Sequence, residues 1–191
     1  EMMAAITPSE RPYLDTPGGR LFASRIPWRR LLMLPAAVTG AIIQHFEAAL
    51  AAQVALTAFI PMLMDTGGNC GSQSSVTVIR GLSLGQIRFG DWLRVLWKEL
   101  RVALLCGASL AAVNLLRLTL LTAVSPAVAA TVSLTLAVTV LAAKLVGCCL
   151  PILAKRLGLD PAVMASPFIT TLVDAVSLLA YFGMASLLLG V

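Results

Sequence analysis

Asp174 stands several residues inside an apolar run, residues 168–189, that is long enough to cross a bilayer. An unpaired carboxylate at that depth costs on the order of 2.5–3.5 kcal/mol on insertion scales, and acids retained inside membrane segments mark ion paths and proton relays. Ser166, Thr170 and Asp174 recur at i, i+4 and i+8. On a helix this spacing lines two hydroxyls and a carboxylate along one face, with Ser177 and Tyr181 further up it. All are oxygen ligands, the donors that hard cations take. Mg²⁺ sheds its water reluctantly, so one or two carboxylates with hydroxyls and carbonyls around a wet lumen suit a largely hydrated ion. The plainer alternative is that Asp174 only hydrogen-bonds a neighbouring helix.

The element that must position these groups is a helix with Ser166 as N-cap and Pro167 as its first residue. At about 1.5 Å per residue, Asp174 then lies roughly 10 Å into a hydrocarbon core about 30 Å thick. A second polar stretch, Asp65-Thr66-Gly67-Gly68-Asn69-Cys70-Gly71-Ser72-Gln73-Ser74-Ser75, occupies the centre of another expected span at about residues 54–78. Gly67-x-x-x-Gly71 lets two backbones approach closely. Glycine and amide groups at membrane depth also loosen a helix and expose carbonyls, which is tolerated only in protein or beside a watery cavity. Gly67, Gly68, Asn69, Gly71 and Gln73 therefore either line a pore or form a packing seam against one.

Of the 191 residues, 59% are hydrophobic and 12% charged, with a mean hydropathy of +0.91. That composition describes an all-α polytopic membrane protein. The net charge of +5 sits in segments flanking the apolar runs, with few aromatics interleaved to stack bases, so no nucleic-acid partner is expected and membrane lipids are. Cys70, Cys106, Cys148 and Cys149 contain no C-x-x-C pair, and neither a disulfide framework nor a zinc site is expected. No signal-peptide pattern is present, and the opening Glu1-Met2-Met3 reads as an internal fragment or a trimmed piece.

Residues 1–26, broken by Pro8, Pro12, Pro17 and Gly18-Gly19, read as a cytoplasmic connector, a short helical piece followed by an irregular segment. Residues 27–191 read as a transmembrane domain of five helices, at about residues 31–50, 54–78, 102–124, 128–153 and 168–189. Arg20, Arg25, Arg29 and Arg30 precede the first span, where Pro35 is a candidate kink. Arg80, Arg88, Arg94, Lys98 and Arg101 lie between the second and third, with Trp92 and Trp97 at interfacial spacing, and Lys155 and Arg156 follow the fourth. The positive-inside rule puts all these segments in the cytoplasm, the uncharged Ser125-Pro126 turn outside, the N-terminus inside and the C-terminus outside. His45, near the outer end of the first span, is not expected to be a ligand. Arg117 lies close enough to a helix end to snorkel; Lys144, deeper, either snorkels inward, the favoured reading, or pairs with Asp174 or Asp65. No internal repeat is evident, which argues against an inverted-repeat transporter.

At Gly67-Gly68-Asn69-Cys70-Gly71-Ser72-Gln73-Ser74, followed by Val78-Ile79-Arg80-Gly81-Leu82, the chain resembles the MgtE family of magnesium channels and transporters. Asp160-Pro161-Ala162 and the run from Ser166 to Asp174 look like that family's last helix. The resemblance covers the chain from about Ser24 onward, and residues 1–13 look similar to the end of the family's connecting helix. It implies an ion-conducting homodimer in the cell membrane (inner or plasma membrane), with the pore at the subunit interface. There two copies of Asp174 would hold a mostly hydrated Mg²⁺, while Thr170 and Ser166 offer oxygens to further ions. Full-length relatives carry a cytosolic N-terminal domain and a CBS pair; neither is in this sequence, so gating by them is not expected of this chain.

Three rival readings remain. Exchange of Mg²⁺ against H⁺ or Na⁺ would use the same aspartate. Asp65-Thr66-Gly67 matches the Asp-Thr-Gly of aspartic proteases, but it lies in an apolar helical run, so no enzyme is expected. A membrane anchor without transport would leave the oxygen-lined face unexplained.

Overall fold

The computed structural model describes residues 12–164 and 166–190, apart from the side chains of Tyr13, Phe89, Val163, Met164 and Ser166. The described residues form α1 (Gly18–His45), α2 (Glu47–Ala52), α3 (Ile60–Ser83), α4 (Trp92–Leu121), α5 (Pro126–Arg156) and α6 (Ser166–Leu189), joined by short 3₁₀ turns and without a strand. Four of these, α1, α4, α5 and α6, are long and apolar enough to cross a membrane. The 24-residue α3 is long enough, but the polar stretch at its centre keeps it less apolar than the others.

Several boundaries differ from the sequence expectation. Residues 18–26, read as irregular, are helical, and α1 continues through both Pro27 and Pro35. The good helix formers from Arg20 to Ile26 outweigh the two glycines, which sit in the first turn. Residues 1–11, most of the expected connector, lie outside the described residues. The second span does not start at residue 54: Val54–Phe59 is a 3₁₀ turn, and α3 opens after it with Pro61 in its first turn, where a missing N–H is not needed. The Trp92–Arg101 segment is already part of α4. The turn before α5 is as read, with Ser125 as the cap that accepts a hydrogen bond from the Val128 N–H (3.3 Å) and Pro126 in the first turn.

α5 is the central element, with buried residues from Val128 to Ala154; α3 and α4 pack against it, and α6 closes on α3 and α5. Within lipid, burying an apolar side chain against another gains little over leaving it in the hydrocarbon, so close packing has to hold the bundle together. Small residues make that packing possible. A Cβ on Gly67 would meet the Ser177 Oγ at 2.7 Å and Val173 at 2.9 Å, one on Gly71 would meet Ile169 at 2.9 Å, and one on Gly147 would fall on the Gly71 carbonyl oxygen. The glycine spacing on α3 is thus a packing seam that brings its backbone onto α5 and α6. The outward face of α4, with Leu104, Leu105, Val113, Leu116 and Leu120, is exposed and apolar, as a face turned to lipid should be.

The ends of the bundle are unlike in charge. Lys155 Nζ donates to the Leu82 carbonyl (3.1 Å), joining the ends of α5 and α3. At the other end Phe46 stacks on Phe182 (4.5 Å between ring centres), and the Tyr181 hydroxyl donates to the Leu56 carbonyl (2.9 Å). The starts of α1, α4 and α6 therefore share an end with the last turns of α3 and α5. That end carries the arginines and lysines of residues 20–30, 80–101 and 155–156, whereas Arg117 lies at the opposite end.

Candidate functional site

α3 and α6 meet at a cavity of about 220 Å³ lined by Met64, Asp65, Gly68, Asn69, Thr170 and Asp174. Each helix contributes one carboxylate to it. On α3 the i, i+4 pair Asp65 and Asn69 shares a face, and Asn69 Nδ2 donates to Asp65 Oδ2 at 3.2 Å, which fixes the carboxylate's direction. On α6 Thr170 and Asp174, also at i and i+4, share the face that lines the cavity. Gly68 lets the two faces meet, because a Cβ there would stand only 3.0 Å from Thr170 Cγ2. Thr170 and Thr171 both send their hydroxyl protons to the Pro167 carbonyl, at 3.0 and 2.8 Å, which ties the start of α6 together.

The cavity is an anionic site built from oxygen donors. Asp65 and Asn69 are exposed, Asp174 and Thr170 are partly buried, and no basic side chain is among the described residues lining it. Such a site favours a cation, and its volume and its amide and carboxylate oxygens suit a hard ion that keeps much of its water. Ser166 heads the same helix; its side chain lies outside what the structure describes.

The other residues singled out from the sequence divide between cavity and seam. Gly68 and Asn69 line the cavity, while Gly67 and Gly71 are buried against α5 and α6. Gln73 is exposed one turn beyond Asn69 and does not line the cavity. Ser177 and Tyr181 depart from the expected oxygen-lined face. Both are buried, Ser177 donating to the Val173 carbonyl (2.7 Å) beneath Gly67 and Tyr181 bonding Leu56, because the 3₁₀ turn and the first turns of α3 cover that part of α6. Asp65 was the residue whose part the sequence left unread. Its i, i+4 relation to Asn69 was visible, but its meeting with Asp174 depends on how α3 and α6 pack.

Lys144 also corrects the expectation. It is 5% exposed and does not snorkel. Its ammonium donates to Ser74 Oγ (3.4 Å), and Ser74 donates in turn to Glu99 Oε2 (2.6 Å), so α5, α3 and α4 are linked by a buried cation, a hydroxyl and a carboxylate. Arg117, by contrast, stays at its helix end, donating to Asn114 Oδ1 at 2.9 Å.

A protein-family model described as a divalent cation transporter, MgtE, matches residues 60–184. This stretch contains both motifs that carry the resemblance and every residue of the cavity. The chain is 37% identical over 187 residues to a protein of Thermus thermophilus named magnesium transporter MgtE, covering 98% of this chain and 41% of that protein. It is 36% identical over 162 residues to the Bacillus subtilis protein of the same name, covering 85% of this chain and 36% of that one. The chain thus spans about two fifths of the length of these relatives. On this evidence of motif, extent and geometry, the chain belongs to the MgtE family of divalent cation transporters.

Proposed function

We propose that this chain forms the membrane path for Mg²⁺, with Asp174 as the central ligand and Asp65 beside it as a second source of negative charge. The observation that carries the reading is the α3–α6 cavity, lined by two carboxylates, an amide and a threonine with no basic side chain among the described lining residues. The names of the relatives, magnesium transporters, support the choice of ion. Thr170, and Ser166 two turns before Asp174, offer further oxygens toward the basic end of the bundle.

In this reading α3 is the fifth span, beside α1, α4, α5 and α6. Its 24 residues rise about 36 Å, enough for the hydrocarbon core. Its polar centre is tolerated because one face packs on glycines and the other opens on water. The basic end faces the cytoplasm, which puts the N-terminus inside and the C-terminus outside the cell membrane. Two copies related by a two-fold axis would bring their Asp174 side chains together around one largely hydrated ion. Support for a partner comes from α1, which has no buried residue of its own, and from the exposure of Asp65 and Asn69, since a two-fold interface uses the same patch on both subunits.

Ion flux into proteoliposomes tests this reading. Under an imposed voltage, Mg²⁺ entry with no need for a H⁺ or Na⁺ gradient is expected of a channel. Strict dependence on either gradient makes the protein an exchanger, and no entry with well-folded protein removes the transport reading.

A further inference from the structure

A second cavity, of about 350 Å³, lies on the opposite side of α5 from the ion site, between the start of α4 and the last turns of α5. Leu96, Cys148, Ile152 and Leu153 line it, and the Trp92 indole and the Arg156 guanidinium are the only strongly polar groups among the described lining residues. The order of these residues along the helices matters. Cys149, Leu153 and Arg156, all exposed, follow at i, i+4 and i+7, a stripe about 10 Å long on α5, with the buried Cys148 and Ile152 forming the floor beneath it. Its deep end is apolar and its outer end is Arg156, the last residue of α5; on the facing helix Trp92 is the first residue of α4 and Leu96 stands one turn deeper. The polar groups therefore sit together at the basic end of the bundle and the apolar ones below them.

This is the shape and charge of a lipid slot. An apolar side chain would have no use for the guanidinium, and a free anion would have none for the apolar wall. An anionic phospholipid matches both, with an acyl chain along Leu96, Cys149 and Leu153 and a phosphate at the level where Arg and Trp sit in membranes. We propose that the α4–α5 groove binds one chain of an anionic phospholipid, with the lipid phosphate at Arg156 beside Trp92. The proposal rests on α4 and α5 lying in a membrane and is independent of the ion path.

The chain has three tryptophans, Trp28, Trp92 and Trp97, so the Trp28→Phe, Trp97→Phe double variant leaves Trp92 as the sole emitter. This protein, reconstituted in bilayers, is titrated with brominated phosphatidylglycerol or brominated phosphatidylcholine of the same chain length. Half-maximal quenching is expected at about fivefold lower mole fraction of the anionic lipid, the factor that corresponds to one basic side chain at a lipid surface. Arg156→Gln should erase that difference, and Arg30→Gln, an equal loss of charge from the same end, should keep it. Glycerol phosphate in solution should not restore the emission. Equal quenching by the two lipids overturns the proposal, as does a preference that survives Arg156→Gln. Displacement by glycerol phosphate would make the site a simple anion site, and absence of quenching by either lipid would mean that a second copy of the chain covers the groove; each also overturns it.

Discussion

Two sites on α3 carry charge inside this bundle, and they resolve it in opposite ways. Asp65 and Asn69 look outward, onto the cavity they share with Thr170 and Asp174, where no described lining residue is basic. Ser74, two to three turns on, looks inward and stands between the ammonium of Lys144 and the carboxylate of Glu99. The inner site holds charges of both signs, whereas the described residues lining the outer one bring only negative charge. In the proposed function this contrast separates an ion site from a structural network more clearly than the presence of an intramembrane charge does. Lys144 and Asp174 are both single ionisable residues in apolar runs; Lys144 is joined through Ser74 to a carboxylate, whereas the described residues lining the cavity at Asp174 include no basic one.

The largest effect is expected where the inner site is half broken. Lys144→Met leaves the half-buried Glu99 hydrogen-bonded to Ser74 without the cation on its other side, a loss of about 3 kcal/mol, the lower end of the range for breaking a buried charged pair. The double change Lys144→Met with Glu99→Gln removes both charges and should restore most of that loss. Thermal unfolding in detergent checks this; a single variant as stable as wild type would mean that the three groups are not a unit. A smaller effect is expected at the seam. Gly71→Leu pushes a side chain into Ile169, Val173 and the Ala143 carbonyl, and overpacking of this kind costs roughly 1–3 kcal/mol. It should disturb the folded assembly more than it shifts ion selectivity, and a well-folded variant altered only in selectivity would put Gly71 on the ion path. Smaller still is Asp65→Asn, which keeps the shape of the cavity and the Asn69 neighbour but removes one charge. Mg²⁺ flux should fall about tenfold, equivalent to about 1.4 kcal/mol, with thermal stability unchanged. Unchanged flux would assign Asp65 to the rim and leave Asp174 alone at the site.

Those contrasts also show what could be read in the chain. The last helix, its start at Ser166-Pro167 and the shared face of Thr170 and Asp174 were legible because they are local and follow from helical periodicity. So was the basic end of the bundle, while the glycines of α3 were left between pore lining and packing seam, a choice that Gly67 and Gly71 could not make without the helices they pack against. The meeting of Asp65 with Asp174 was not, since it joins residues on separate helices whose relative rotation is set by packing at Gly67, Gly68 and Gly71. Lys144 misled for a similar reason. Its partner Ser74 is one of several serines in a polar run, and the carboxylate it reaches through Ser74 lies on α4, in a segment that reads as an interfacial entry because of Trp97 and Lys98. Ser177 and Tyr181 obeyed the same periodicity as Asp174, but the turn at residues 54–59 covers that end of α6.

The central claim, that the outer site conducts and the inner one only holds the fold, is tested most directly by Mg²⁺ flux into proteoliposomes from two variants measured beside wild type. Asp174→Ala should reduce flux by a hundredfold or more, on the order of 2.7 kcal/mol or above, with its melting temperature preserved. The Lys144→Met, Glu99→Gln double variant should keep flux within a few fold of wild type once equal amounts of folded protein are compared. Flux that survives Asp174→Ala, or is abolished by the double variant in a folded protein, would contradict the account.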